Sequence, residues 1–218
     1  MFFRLNFVDQ VILAMLNGRR RDEFALKVCV FLKSRAKRWE NLSEMQPSAV
    51  TKLIDGDTYA DKKTRELPEY IREIIALRGH LDLDIMRGWT LDYAHRWIET
   101  ITGIGPKISC AALNVSTLNM RILMVDTAHR RVAERYGLIP QNIGDKFASR
   151  LLNWQVPDYW TTEDTEIHHF LIQMLGKEIC ASGHSDCSNY PLVASCPTNQ
   201  AAGIETFYLS AMPLRMAS

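Results

Sequence analysis

The sequence predicts an all-α protein with two helical subdomains. Apolar residues recur at helical spacing through most of the 218 residues, whereas the alternating pattern of strands is scarce. Capping residues and glycines divide this pattern into segments of helical length. The turn from Gly103 to Gly105 joins two of these segments as a hairpin of helices. We expect one barrel-type subdomain over residues 1–121, which includes the hairpin at its junction with the next, a second over 122–196, and a tail without order over 197–218.

The N-terminal helices follow from apolar periodicity and from the residues that begin or end helices. Residues Phe3 to Leu16 predict a core helix, which Asn17 and Gly18 end. Asp22 is a suitable cap for a second helix, and Pro47 opens a short third one. A fourth segment extends to Gly79, and a brief helical turn over 81–86 ends at Gly88. The fourth segment carries the apolar residues Leu67, Ile71, Ile74 and Ile75.

The later helices are marked by clearer ends. Thr90 caps a helix whose apolar residues share one face and which Gly103 stops. Pro106 opens its partner, which we expect to extend to about Leu118. The next helix spans 127–136, directly after Asp126 and before Gly137, and two more cover about 147–154 and 163–175.

Composition restricts the partners and the location of the chain. The formal net charge is only +1, so any affinity for nucleic acid must come from local basic patches such as Arg19 to Arg21, Lys33 to Arg38, or Arg130 with Arg131. The apolar run 11–16 is short and is followed, not preceded, by arginines, which fits neither a signal peptide nor a membrane span. We therefore expect a cytoplasmic or organellar-matrix protein with reduced thiols and no membrane partner. We also expect a monomer.

The turn Gly103-Ile104-Gly105-Pro106-Lys107 is the most informative motif. Its glycines allow a tight turn, and its free backbone N–H groups, together with the positive end of the following helix dipole, can bind phosphate. The same dipole disfavours a protonated amine at Lys107, and a neutral amine is a nucleophile able to form a Schiff base. The alternative is a solvated Lys107 that contacts only phosphate.

This turn, followed by Val125-Asp126-Thr127 and Arg131-Val132, resembles the helix-hairpin-helix DNA glycosylases, specifically the endonuclease III branch. The resemblance covers most of the chain. It includes Leu16 to Asp22 at the position of a base-displacing loop and Tyr59 to Lys62 before a helix. It also includes 168–172 and 176–180 ahead of an iron–sulfur loop.

The resemblance implies an enzyme of base-excision repair with a DNA-binding cleft between the two subdomains. Lys107 matches the lysine that attacks C1′ of the damaged nucleotide, displaces the base and permits β-elimination. Asp126 matches the aspartate that stabilises charge or handles protons, although an N-cap is its structural alternative. The chain departs from the family where Ala128 precedes His129, and where Asp126 lies 19 positions after Lys107.

The implied iron–sulfur site is incomplete. Six residues separate Cys180 from Cys187, and Cys196 lies 16 positions after Cys180, as in the family, but the remaining ligand position holds Tyr190. A phenolate is a poor replacement for a cluster thiolate. We therefore expect no cofactor. The alternatives are a four-iron four-sulfur cluster with one non-cysteine corner, or zinc on the three cysteines with His184.

The implied partner is double-stranded DNA with damaged bases or abasic sites, and oxidised pyrimidines are the implied substrate class. A bacterial protein of this kind would associate with the nucleoid. The DNA contacts predicted are the turn residues 103–105, Arg20, Arg21, Lys62 and Arg130. Arg19 either fills the space left by the displaced base or contacts only the backbone. Tyr59, His95 and His168 line a base pocket or are core residues.

Overall fold

A computed structural model of the chain describes residues 4–17, 22–53, 60–183, 186–187, 192 and 195–198. These residues form helices, turns and loops, with no strand among them. The chain divides into two compact units, Met1–Met124 and Val125–Ser218. The all-α prediction is confirmed.

The described part of the first unit consists of helices joined by turns and loops. Its helices are α1 (Phe7–Leu16), α2 (Asp22–Ala36), α3 (Glu40–Ser43), α4 (Pro47–Leu53), α5 (Ala60–Arg78), α6 (Leu91–Ile98) and α7 (Pro106–Val115), with a 3₁₀ turn at Asp84–Gly88. Three predicted ends were wrong. Helix α6 ends at Ile98, with Glu99 as its C-cap, and does not continue to Gly103. Helix α1 begins at Phe7 because the Asn6 side chain accepts the Asp9 N–H as an N-cap. Helix α7 stops at Val115, not near Leu118, because Ser116 is extended.

Helix α1 is the centre of the first unit. It packs against α7, α2 and α5, and its apolar side chains Phe7, Val11, Ile12 and Met15 are buried. Asp9 is also buried, and it accepts hydrogen bonds from the Trp39 indole N–H and from the Lys33 amine. These bonds satisfy a carboxylate that would otherwise be costly to bury.

Two predicted core thiols lie in this unit. Cys29 and Cys110 are both buried, as the helical pattern predicted. Burial, with a contribution from Asp9, raises the pKa of Cys29 to about 11. This thiol is therefore protonated at neutral pH and acts as a small apolar side chain.

The second unit contains α8 (Thr127–Tyr136), α9 (Asp145–Gln155) and α10 (Thr162–Glu178). Helix α8 packs against both of the others and ends at Gly137, whose φ is 83°. The bounds of α8 agree with the prediction. Helix α10 begins one residue earlier than predicted, where Thr161 and Asp164 form a capping box, and it extends three residues further, to Glu178.

Helices α8 and α10 approach each other closely at Gly176. A Cβ atom at this glycine would lie 2.8 Å from the carbonyl oxygen of Ala128. The short distance explains why α10 has a glycine in its last turns despite the low helix propensity of this residue.

None of the described helices combines the length and the apolar character needed to cross a membrane.

Candidate functional site

The glycine turn is held by helix α5. The Glu73 carboxylate accepts hydrogen bonds from the backbone N–H of Thr102, at 3.0 Å, and from its hydroxyl, at 3.3 Å. Gly103 adopts a φ of +80°, in the left-handed region that favours glycine. Tyr70, also on α5, lies directly against Gly103. The same helix thus fixes the turn from both sides.

Two donors of the turn have no protein partner. In the part of the chain that the structure describes, the backbone N–H groups of Gly103 and Gly105 make no hydrogen bond, whereas the N–H of Ile104 bonds to the Ile101 carbonyl. Gly105 is the N-cap of α7, so these donors lie at the positive end of that helix. The arrangement is suited to an anion, as the sequence predicted.

We expect Gly103→Ala to destabilise the protein by about 2 to 4 kcal/mol, through the left-handed backbone and overpacking. A Cβ atom at this position would lie 2.3 Å from the Tyr70 hydroxyl oxygen. Gly105→Ala is the matched control, because a Cβ atom there has no described neighbour within 4 Å. Urea unfolding of the two variants tests the difference. Equal losses of stability would contradict the role of the Tyr70 contact.

Lys107 occupies the first turn of α7, at the position after Pro106. Its side chain is half-buried, and its amine lies 3.5 Å from the backbone carbonyl oxygen of Asn17, at the end of α1. This contact directs the amine toward the C-terminal end of α1, where the predicted base-displacing loop begins.

A pocket of about 470 Å³ lies beside the turn within the first unit. Its lining includes Gly103, Tyr70 and three glutamates, Glu66, Glu69 and Glu73. Tyr70 donates to Glu66 at 2.8 Å, and burial together with this hydrogen bond raises the pKa of Tyr70 above its ordinary value. Three carboxylates repel phosphate. The carboxylates of the pocket therefore disfavour an anion, whereas the N–H groups of the turn favour one.

Asp126 lies at the start of the second unit, where it caps α8. One carboxylate oxygen, Oδ1, accepts the backbone N–H of His129 at 2.8 Å. The other, Oδ2, accepts the side-chain N–H of Gln173 on α10 at 2.5 Å. The predicted N-cap role is confirmed, and Gln173 is a partner that sequence analysis did not identify.

Three histidines pack together behind this cap. His129 is buried, its Nδ1 lies 3.3 Å from Nδ1 of His169, and its ring centroid lies 5.3 Å from that of His168. The ring centroid of Trp160 lies 5.0 Å from that of His168. Burial lowers the pKa of His168 below its ordinary value of 6.5.

We expect the protein to lose stability as the pH falls below about 6.5. The unfolded chain then binds a proton at His168 that the folded chain resists, so unfolding becomes more favourable. His168→Gln is expected to reduce this loss, when urea midpoints are compared at about pH 7.5 and about pH 5.5. His80→Gln, at an exposed position, is the control. An unchanged pH dependence in His168→Gln would refute the assignment.

The cysteine loop is bound to α8 by two arginines. Arg131 donates to the backbone carbonyls of Cys180 and Gly176, and Arg135 donates to those of Cys180 and Ala181. Arg135 also lies 3.1 Å from the Cys180 sulfur. The Cys196 thiol is directed at the Arg135 carbonyl, at 3.8 Å. Among the described residues, no three His, Cys, Asp or Glu side chains are placed to hold a metal ion.

Several predicted site residues lie outside the described part of the chain. These are Arg19, Arg20, Arg21, Tyr59, His184, Tyr190 and the side chain of Lys62. Cys187 is described and half-buried. Arg130 donates to the Ile143 carbonyl and forms an ion pair with Asp145 at 2.8 Å. His95 contacts the buried thiol of Cys110 and the carboxylate of Glu99. The DNA contacts predicted for these arginines and Lys62 stay predictions.

The fold is that of known DNA glycosylases. A structure of a trapped covalent intermediate of endonuclease III with DNA matches with a TM-score of 0.72 and 16% identity, over 91% of this chain and 87% of that one. A thermostable thymine-DNA glycosylase matches with a TM-score of 0.69 and 17% identity, over 89% and 85%. The predicted resemblance to the helix-hairpin-helix glycosylases is confirmed for the fold.

Sequence similarity is more distant. A protein of Arabidopsis thaliana, provisionally assigned as a DNA glycosylase, is 21% identical over 152 residues, which are 69% of this chain. The match spans 51% of that relative, about half of its length. No family model matches the chain.

Proposed function

We propose that this chain is a DNA glycosylase of the endonuclease III type with AP lyase activity. The observation that carries the proposal is the half-buried amine of Lys107, in the first turn of α7. Two unbonded N–H groups of the described turn precede it. The fold shared with an enzyme trapped covalently on DNA supports this assignment.

In the proposed reaction Lys107 is the nucleophile. After the loss of a proton, its amine forms a bond to C1′ of the damaged nucleotide, and the base leaves with the electrons of the C1′–N bond. The attached nitrogen then loses a proton, and its lone pair forms the C=N bond as the C1′–O4′ bond breaks. O4′ keeps the bonding electrons and takes up a proton, which gives the protonated imine. Removal of a C2′ proton then breaks the C3′–O bond, and the 3′ phosphate leaves with the bonding electrons. Asp126 stabilises positive charge on the sugar or accepts a proton.

The proposed DNA contacts involve the glycine turn and the displaced nucleotide. The N–H groups of Gly103 and Gly105 bind a phosphate of the damaged strand. The Ile104 side chain is buried and fixes the turn. The displaced nucleotide leaves the helical stack, as base chemistry in a duplex requires. Oxidised pyrimidines are the proposed substrate class, and duplex DNA is the proposed partner.

We also propose that the protein works without a stable iron–sulfur cluster. Three cysteines and Tyr190 provide one thiolate fewer than the four that such a cluster normally uses. The carbonyl contacts of Arg131 and Arg135 hold the loop at Cys180 by another means. Anaerobically purified protein is expected to lack both iron and absorbance at roughly 400 nm. Stoichiometric iron and sulfide would overturn this proposal.

The proposed function is tested with a panel of damaged duplexes, on which base release and strand scission are measured separately. The proposal expects both products from at least one oxidised pyrimidine. Base release without scission would assign a monofunctional glycosylase in which Asp126 activates water. DNA binding without either product would identify a non-catalytic helix-hairpin-helix module.

A further inference from the structure

We infer that Gln173 positions the Asp126 carboxylate for the reaction, and that Lys177 fixes the orientation of the Gln173 amide. This inference rests on the proposed function for its kinetic consequences. The three residues form one chain of hydrogen bonds within the second unit. Lys177 donates to Oε1 of Gln173 at 2.9 Å, and Nε2 of Gln173 donates to Asp126 at 2.5 Å.

The donor and the acceptor of each hydrogen bond in this chain are fixed. An ammonium group can donate but cannot accept, so the Gln173 oxygen must face Lys177. The amide NH₂ then faces Asp126, where it can donate to the ionised carboxylate. A bond of this type is stronger than one between neutral groups. Lys177 lies one helical turn beyond Gln173, at the spacing where side chains on a helix meet.

Two helices therefore fix the carboxylate independently. The N-cap bond from the His129 N–H holds Oδ1 on α8, and Gln173 holds Oδ2 from α10. A single bond would leave the carboxylate free to rotate about it, whereas two bonds from different helices restrict its plane. Capping alone requires only the first bond. The second bond is the feature that a purely structural N-cap does not explain.

The close packing of α8 and α10 makes the second bond possible. Gly176 lies on α10 between Gln173 and Lys177, and its missing side chain allows the helix to approach the Ala128 carbonyl. Arg131 donates to the Gly176 carbonyl and holds the same contact. Gln173 thus extends from a fixed backbone, as a positioning residue should.

The test compares Gln173→Leu with Gln155→Leu. Leucine approximates the size of glutamine but cannot donate. Gln155 is a control in the same unit, because among the described residues its side chain donates to the carbonyls of Leu138 and Leu151 and to no carboxylate. The rate of base release in a single turnover should fall roughly 10- to 100-fold in Gln173→Leu, while the Kd for DNA changes less than about twofold. Lys177→Met should give a smaller decrease in the same rate.

A double-variant cycle decides whether Gln173 acts through Asp126. In the Asp126→Ala background, Gln173→Leu should cause no further decrease in rate, because the group that it positions is already absent. An undiminished effect in that background would overturn the inference. A Gln173→Leu rate equal to that of the wild type would do so too.

A second measurement does not depend on activity. The His129 amide hydrogen, held by Asp126, should exchange with solvent faster in Gln173→Leu than in the wild type or in Gln155→Leu. If wild-type protein released no base from any duplex, the proposed function would fail, yet faster exchange would still support the positioning of Asp126. Unchanged exchange would refute that positioning even in an active enzyme.

Discussion

Lys107→Gln is expected to abolish the covalent adduct with abasic DNA that borohydride traps, and to reduce strand scission to background. An amide nitrogen is not a nucleophile, so neither the C1′ bond nor the imine can form. The rate of strand scission should fall by more than about 10³-fold. Binding to DNA should weaken by no more than about tenfold, because the N–H groups of Gly103 and Gly105 remain.

Lys52→Gln is the matched control for this variant. Lys52 is exposed and lies in α4 of the same unit, so its removal changes the net charge equally without changing the turn. The control should form the adduct as efficiently as the wild type. An adduct that persists in Lys107→Gln would assign the nucleophile to another amine. A variant that releases base but cuts no strand would restrict Lys107 to the lyase step.

Asp126→Ala is expected to lower the rate of base release by about 10²- to 10⁴-fold, the range typical of a lost acid–base group. It should also destabilise the protein by about 1 kcal/mol, because the bond to the His129 N–H is lost. The two losses have different causes. A variant that restores only the cap should therefore separate them.

Asp126→Ser provides that separation. Serine is an effective N-cap, so the urea midpoint should return to within a few tenths of a kcal/mol of the wild type. Base release should stay as low as in Asp126→Ala, since serine has no charge. Asp158→Ser, at an exposed position in the same unit, controls for the lost charge. Wild-type activity in Asp126→Ser would show that Asp126 is only a cap.

Helix ends with strong local signals were predicted from the sequence. The bounds of α8 follow from Asp126 at its start and Gly137 at its end. The Asp126 side chain caps the first turn, and Gly137 ends the helix through its left-handed backbone. Pro106 fixed the start of α7 in the same way. Such signals depend on chemistry within a few residues, which a sequence displays directly.

Contacts between helices were not predictable in this manner. The bond from Gln173 to Asp126 joins residues 47 positions apart, and the bond from the Thr102 N–H to Glu73 joins residues 29 apart. Periodicity also predicts that a segment is a helix more surely than it predicts which face of that helix is buried. Phe170 and Leu171 fit the apolar pattern of α10, yet their exposed fractions are 56% and 57%.

The carbonyl contacts of Arg131 and Arg135 bear on how this protein can change during evolution. Every residue has a backbone carbonyl, so the bonds to the carbonyls of Cys180 and Ala181 do not depend on the side chains of these two residues. Substitution of Cys180 would remove the contact between its sulfur and Arg135 but would leave these acceptors in place. The selective constraint from these bonds thus falls on the two arginines more than on the side chains at positions 180 and 181.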